Sequence, residues 1–552
     1  MKNTIHTGLA LSAAMLVGTG ANAEDATVSI LPTQVTAWVE NFNPYNVSSV
    51  VPTVTDFVYE PMVIFNSFAG GEPSYRTATA YSYSDDLSSV TFTLREGVKW
   101  SDGEAFDAED VAFSFDLVLG NPALDTFGMS KIVSSVEVVD PQTVTFRLAA
   151  PSSQAVFEIV RVPIVAQHAW AEVSDPVTFT NPDPIGTGAM TEFTRFTEQE
   201  YIQCRNPSYW DNDSLFVDCL RVPQIANNDQ ALAAAANGEL DWMGSFLPDI
   251  ENTYVSKDPD NHRYWLPGGS LVMFNMNLES DDAGNNAAFN DVNFRRAVSM
   301  SFDREAMVEI AGYGYPTINA YPSGLGSAFH AWNNPEVDEK FGEFTQYSPE
   351  AARELLAESG YSDIDGDGFV EAPNGEAVSF DIIVPNGWTD WVNTVQIAVE
   401  GLTEVGIKAN VATPEAAVWT EKLISGDYDF AINAISVGTT PYNHFERGLH
   451  QRNQGISRFA PARWDNSEIS DLLDDFTQTN DLNEQQEIIA KVQMIAAEEM
   501  PYVAVFNNPL WYQFNTKRFT GFFDNENPVG NPVVHANNPM RVLHLLSLRP
   551  VE

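Results

Sequence analysis

An α/β fold is the prediction for this chain, and three observations carry it. Short apolar runs that read as strands alternate with stretches of helical period. The clearest series is 378–384, 394–405, 407–412, 419–425 and 430–435, which runs strand, helix, strand, helix, strand, the order that builds a sheet with crossover helices. And 552 residues are too many for one core, so two or more domains are expected.

Taken in order, 26–66 alternates short apolar runs with turns, among them Asn41-Phe42-Asn43-Pro44. The alternation Val90, Phe92, Leu94 is a half-buried strand. Asp107 is a helix cap, with Glu109 and Asp110 in the first turn where the helix dipole favours acids. A strand pair follows at 136–139 and 143–148. The stretches 202–205 and 216–222 flank a loop between Cys204 and Cys219. Residues 229–237 are Ala-rich and helical, with Gly238 as the stop, and 239–243 reads as the next strand. A second region opens with a strand at 272–275. The spacing predicts one helix over 291–311, another over 349–359 and a long helical stretch over 472–500, with strands at 502–506 and 511–514.

Acids outnumber bases 76 to 28, for a net charge of −48. That field repels nucleic acid and anionic lipid headgroups. Residues 1–23 have the form of a secretory leader. Lys2 gives a basic start, 8–17 is apolar, and Ala21 and Ala23 supply the small residues ahead of a cut before Glu24. Loss of Lys2 takes the mature chain to −49. No other apolar run approaches the ~20 residues of a membrane span, so a soluble, exported protein is expected, resident in the periplasm. In an oxidising compartment Cys204 and Cys219 are able to pair; two free thiols are the alternative.

Three local patterns bear on chemistry. In 385–391, Pro-Asn-Gly-Trp-Thr-Asp-Trp, a turn presents two indoles and a carboxylate before a helical pattern that begins at Val392. An indole beside a carboxylate suits a sugar ring, giving a flat apolar face and an acceptor for hydroxyls; the same residues also suit a peptide or a structural corner. Asp363, Asp365 and Asp367, with Gly368 and Glu371, have the spacing of a calcium loop, but its twelfth position is Asn374 rather than Glu, and an acidic surface turn is the alternative. G-x-S-x-G, H-E-x-x-H and a P-loop are all missing from the sequence. No catalytic residue and no cofactor is expected.

The stretch 92–111, with Arg95, Gly97, Trp100-Ser101-Asp102-Gly103, Phe106 and Ala108-Glu109-Asp110-Val111, resembles the large periplasmic solute-binding proteins of the oligopeptide/dipeptide/nickel ABC importers. Tyr59-Glu60-Pro61, Asn293-Phe294-Arg295-Arg296-Ala297 through Asp303-Arg304, and Phe519-Thr520-Gly521 agree with it. The resemblance implies two lobes about a hinge. The leader 1–23 is followed by 24–280 in the first lobe with an extra subdomain, 281–515 in the second lobe, and 516–552 returning to the first. It implies a monomer, an inner-membrane ABC permease as partner, and in some branches a sensor kinase that reads the receptor.

The stretches 41–44, 204–219, 221–230 and 386–390 are similar to an oligosaccharide-binding branch that includes the chitin-oligosaccharide-binding proteins of marine bacteria. In that branch the indole at Trp388 stacks on a sugar, the carboxylate at Asp390 takes hydroxyls, and Arg458-Phe459 line the other wall. Asn43, Trp511 and His535 complete the candidate ligand set. Glu40, Ala434 and His535 depart from the branch: a basic residue, a polar Asn and a second platform tryptophan stand in their places there. The resemblance therefore implies capture of a chitin-derived or other β-linked oligosaccharide, with oligopeptide as the competing cargo and a sugar-active enzyme as the distant third.

Overall fold

The computed structural model describes residues 26–46, 49–69, 71–435, 438–536 and 538–551; the leader and its cleavage point lie outside them. Apolar strands that cannot leave their backbone groups unpaired organise the chain into two main sheets. In the first, Thr27–Leu31 is central. It pairs in parallel with Cys219–Pro223 on one side and with Trp242–Met243 on the other. Glu200–Arg205 and Met190–Thr197 extend one edge, and Gln513–Asn515 and His262–Tyr264 the other, giving seven strands. The chain's last segment thus enters the sheet begun by its first. The helix Met540–Ser547 packs on the same core.

A four-stranded antiparallel sheet, Ala78–Tyr83, Ser89–Leu94, Thr143–Leu148 and Val133–Asp140, packs on the same core. The helix Ala108–Gly120 lies on it. Asp107 accepts from the Glu109 N–H, and Asp110 reaches back to the Asp107 N–H, a reciprocal cap that sets where the helix starts. Cys204 and Cys219 face each other on neighbouring strands and form a disulfide.

The second sheet has six strands in the order Thr317–Ile318, Val503–Asn507, Leu271–Met276, Phe430–Ile435, Ser379–Ile383 and Lys408–Ala412. The last three are parallel, joined by the helices Thr389–Glu404 and Ala416–Ser425. Its core is Val272, Phe274, Ile382, Phe430 and Val505, with helices packed against them. Sheet membership changes between Tyr264 and Leu271 and again between Asn507 and Gln513.

The two crossing segments run side by side. Asn508 N–H donates to Ser270 O (2.8 Å), Leu510 N–H to Pro267 O (2.9 Å) and Trp265 N–H to Tyr512 O (3.0 Å). Gly269 makes the approach feasible: a Cβ there would sit 2.1 Å from Asn508 O.

Two expectations are corrected. The stretch 291–311 is not one helix. Val292–Met300 ends, Phe302 turns into the core, and Asp303 caps a new start by accepting from Ala306 N–H, with a π-turn over Met307–Ala311. The stretch 472–500 is also two helices, Ser467–Thr477 and Leu482–Glu499, the second capped by Asp481. Among the described residues no helix is long and apolar enough to cross a membrane.

Candidate functional site

The turn 385–388 leaves the strand Ser379–Ile383 at its carboxyl end, where ligands gather in open α/β sheets. Gly387 sits at φ +82, the left-handed region that favours glycine. The helix begins at Thr389, three residues ahead of the expected start, so Asp390 lies in its first turn. Trp388 is half-buried and meets Trp391 edge-on, with ring centres 5.1 Å apart, and Trp419 at 6.0 Å. Trp391 and Trp419 are buried, so they form the bed on which the partly open Trp388 ring is held.

The first lobe reaches this turn. Asn228 Nδ2 donates to Thr389 Oγ1 at 3.3 Å, and a side chain on Gly387 would press Asn227 Cβ at 3.2 Å. Asn228 is held in turn by Gln34, whose Nε2 donates to its Oδ1 at 2.8 Å and lies 3.4 Å from Ser245 Oγ. Trp388 and Asp390 therefore stand where the two halves meet. Burial pushes the Asp390 carboxyl up to about 6, against the opposing pull of the Trp391 N–H and the Asn228 amide. No cation contributes to that balance.

Arg458 and Phe459 form the next part of the wall. The guanidinium lies 4.3 Å over the Phe459 ring and 5.5 Å from the centre of Trp419. Its Nη1 donates to Asn433 Oδ1 at 2.8 Å, and Asn433 Nδ2 donates back to Arg458 O at 2.7 Å. Desolvation lowers the Arg458 guanidinium to about 10. The polar residue expected to be missing at Ala434 has a neighbour in this fully buried Asn433, one position earlier and on the opposite face of the strand. Gln34, Asn228, Trp419 and Asn433 were not among the sequence candidates. Only the run Asn227–Asn228 carried a local signal, as an amide pair at a helix start. The others are brought in by long-range pairing.

His535 is half-buried on the first lobe, with Nε2 2.8 Å from Gly244 O, next to Ser245. Desolvation lowers its pKa, which favours the neutral ring. Trp511 is 8% exposed and packs edge-on against Phe246 and Tyr315, a buried position rather than an open platform. Asn43 is removed from the site. It is fully buried, donates to Pro176 O and Phe179 O, accepts from Tyr45 N–H, and so completes a turn inside the first lobe. Glu40 is exposed.

Asp363, Asp365 and Asp367 do cluster, on an exposed loop, but their oxygens already accept from Gly366, Gly368, Asp367 and Phe369 N–H groups, as an acidic turn would. A surface concavity of about 460 Å³ lies elsewhere, at the Thr317–Ile318 edge, and holds none of the candidate residues.

Comparison with known proteins fits this geometry. Residues 72–455 match the family described as bacterial extracellular solute-binding proteins, family 5 middle. The chain is similar to the glutathione-binding protein GsiB of Escherichia coli (strain K12), 24% identical over 459 residues, covering 81% of this chain and 82% of that protein. In fold it is similar to the periplasmic oligopeptide-binding protein of Thermotoga maritima, solved with mannohexaose bound. The TM-score is 0.86 at 23% identity, over 96% of this chain and 99% of that one. It is also similar to AppA of Bacillus subtilis in complex with a nonapeptide, with a TM-score of 0.77 at 18% identity, over 95% and 99%. Since the family match spans well over half of the chain, this protein belongs to family 5 of the bacterial extracellular solute-binding proteins, the non-enzymatic binding components of ABC importers.

Proposed function

We propose that this receptor captures a short oligosaccharide, chitin-derived or otherwise β-linked, in the cleft between its lobes and presents it to an inner-membrane permease from the periplasm. The observation that carries the reading is the Trp388 indole: partly open, backed by Trp391 and Trp419, and placed where Asn228 of the first lobe touches Thr389 of the second. The axial C–H groups of a pyranose form an apolar patch that lies on such a face, while Asp390, Asn228 and Arg458 offer partners for its hydroxyls. The mannohexaose bound to the Thermotoga protein supports the view that this fold accepts a sugar chain. The two crossing segments at 265–270 and 508–512 serve as the hinge. A ligand that touches both walls favours the closed form only by its differential affinity for it.

A peptide is the second reading, and Asp390 is what favours it, because a buried carboxyl with no cation beside it is what a peptide amine would seek. The glutathione-binding relative and the nonapeptide-bound neighbour lean the same way. Thermal-shift screening of the purified protein against chito-, cello- and manno-oligosaccharides and mixed peptides separates the two. Shifts with peptides alone would reject the sugar. Trp388→Ala is expected to weaken sugar binding by about 1–3 kcal/mol, roughly 5- to 150-fold, by analogy with other aromatic stacking. Unchanged affinity by titration calorimetry would clear Trp388 of the role.

A further inference from the structure

The chain has few bases, and its buried arginines show how they are normally accommodated. Arg304 donates from Nε to Ala504 O, from Nη1 to Ser299 O and from Nη2 to Ser299 Oγ, at 2.8–3.0 Å. Arg295 places its three nitrogens on the carbonyls of Met500, Phe289 and Glu499. Arg541 places its own on Asp56, Val534 and Pro52. In each, all three nitrogens have an acceptor inside the fold, as removal of a guanidinium from water favours.

Arg458 breaks that pattern. It is only half-buried where the others are fully buried, and among the described residues only Nη1 has an acceptor. The ring faces of Phe459 and Trp419 cover its plane and do not engage its edge N–H groups. Nε–H and Nη2–H remain, the two near-parallel donors of the guanidinium's other edge. Among the described residues no carboxylate pairs with them, although the chain is strongly acidic. That edge is shaped for two oxygens on one carbon, taken as a fork. It is also near the sugar platform, because the guanidinium contacts Trp419, whose ring centre lies 6.0 Å from that of Trp388.

We infer that the oligosaccharide is acidic, with a carboxylate of a uronate-type residue seated on the Nε/Nη2 edge of Arg458 while a ring of the chain lies on Trp388. This rests on the oligosaccharide reading and narrows it from β-linked sugars in general to those that carry a carboxylate. Asn433 is the positioning residue: it holds Nη1 and the Arg458 carbonyl together, so the open edge keeps one orientation.

Titration calorimetry with matched β-1,4-linked pairs of equal length tests it, using mannotriose against trimannuronate and cellotriose against triglucuronate. The uronate of at least one pair is expected to bind about 10- to 100-fold more tightly than its neutral partner, the range for one charge-assisted forked contact. That margin should shrink as salt rises. In Arg458→Gln the margin should fall to near unity. In Arg458→Lys, which keeps the charge and loses the fork, it should fall to an intermediate value. Melting curves of both variants establish that each is folded before it is titrated, and the salt dependence of the unaltered protein reads the same charge contact without a substitution. Equal or tighter binding of both neutral sugars would overturn the inference while leaving the oligosaccharide reading intact. Binding of peptides with no sugar of either kind would overturn that reading itself.

Discussion

Arg541 in the first lobe is fully buried and Arg458 on the wall of the second is half-buried, and the fold treats them in opposite ways. Arg541 comes from the last helix and closes the chain onto its own beginning. It ion-pairs with Asp56 at 2.7 Å, and its remaining donors meet Val534 O, Pro52 O and Thr55 Oγ1. Arg458 keeps one edge open beside an indole platform. The difference separates a group whose donors are all engaged inside the fold from one that keeps an edge unengaged. Other polar atoms at the meeting of the lobes share the second condition: Gln34 Oε1 and Trp419 Nε1 are both buried without an acceptor or donor partner.

The widest gap between the two should appear in stability. Arg541→Met leaves Asp56 as a buried carboxylate without its cation, and breaking such a pair costs about 3–5 kcal/mol. Arg458→Gln strands no acid and should cost less than about 1 kcal/mol. Denaturant melts of both variants check this. Similar losses would dissolve the distinction between structural and receptive arginines.

Acid sharpens the same contrast between a saturated core and an unsaturated cleft. His544 is fully buried, with Nδ1 2.9 Å from Pro532 O and Nε2 accepting from Phe523 N–H. Burial holds it down to about 3, and His444 to about 4. Both stay neutral in the fold while the unfolded chain takes protons near pH 6.5, so their stabilisation is complete above that pH and is lost as pH falls toward 3. The loss should reach roughly 3–5 kcal/mol for each of the two in pH-dependent melts.

Asp390 has the opposite sign. Its carboxyl is raised from the ordinary range to about 6, so the fold prefers it protonated, and stability is given up as pH rises from about 4 to 6. Asp390→Asn should therefore stabilise the ligand-free protein at pH 7 by about 2–3 kcal/mol and do almost nothing below pH 4. In wild type the histidine and aspartate slopes partly cancel between pH 4 and 6, and the variant should expose the histidine slope alone. A variant no more stable than wild type at pH 7 would mean that water reaches the carboxylate and that the cleft wall is not dry there.

Much of the frame was legible because it is local. The alternation through Val90, Phe92 and Leu94 forces a strand, Asp107 with Asp110 fixes a helix start, and 430–435 emerged with its bounds unchanged. The helix break at Ser301–Asp303 was hidden because its cause is tertiary: Phe302 is needed in the core against Phe274. In the site, Trp388, Asp390, Arg458 and Phe459 could be named from the resemblance, and the structure brings them within one another's neighbourhood. Asn43 could not be sorted from a ligand group by sequence, since an amide in a turn looks the same whether it faces solvent or two buried carbonyls. Gln34, Asn228 and Asn433 depend on which distant strands and turns adjoin, and no short window records that.

A third arginine sets the scale for the other two. Arg147 pairs with Glu137 across neighbouring strands at 3.1 Å, against 2.7 Å for Arg541 with Asp56, and with 53% and 57% of the side chains exposed. Water solvates both charges whether or not they meet, so little is gained by the contact and little is stranded when it is lost. Arg147→Ala should change the unfolding free energy by less than about 0.5 kcal/mol, and high salt should erase even that. The three arginines then form one series in which desolvation, rather than the presence of an acid, decides the cost: a loss at Arg147 as large as at Arg541 would show that pairing alone is stabilising, and would remove the reason to treat the open edge of Arg458 as an invitation to an outside anion.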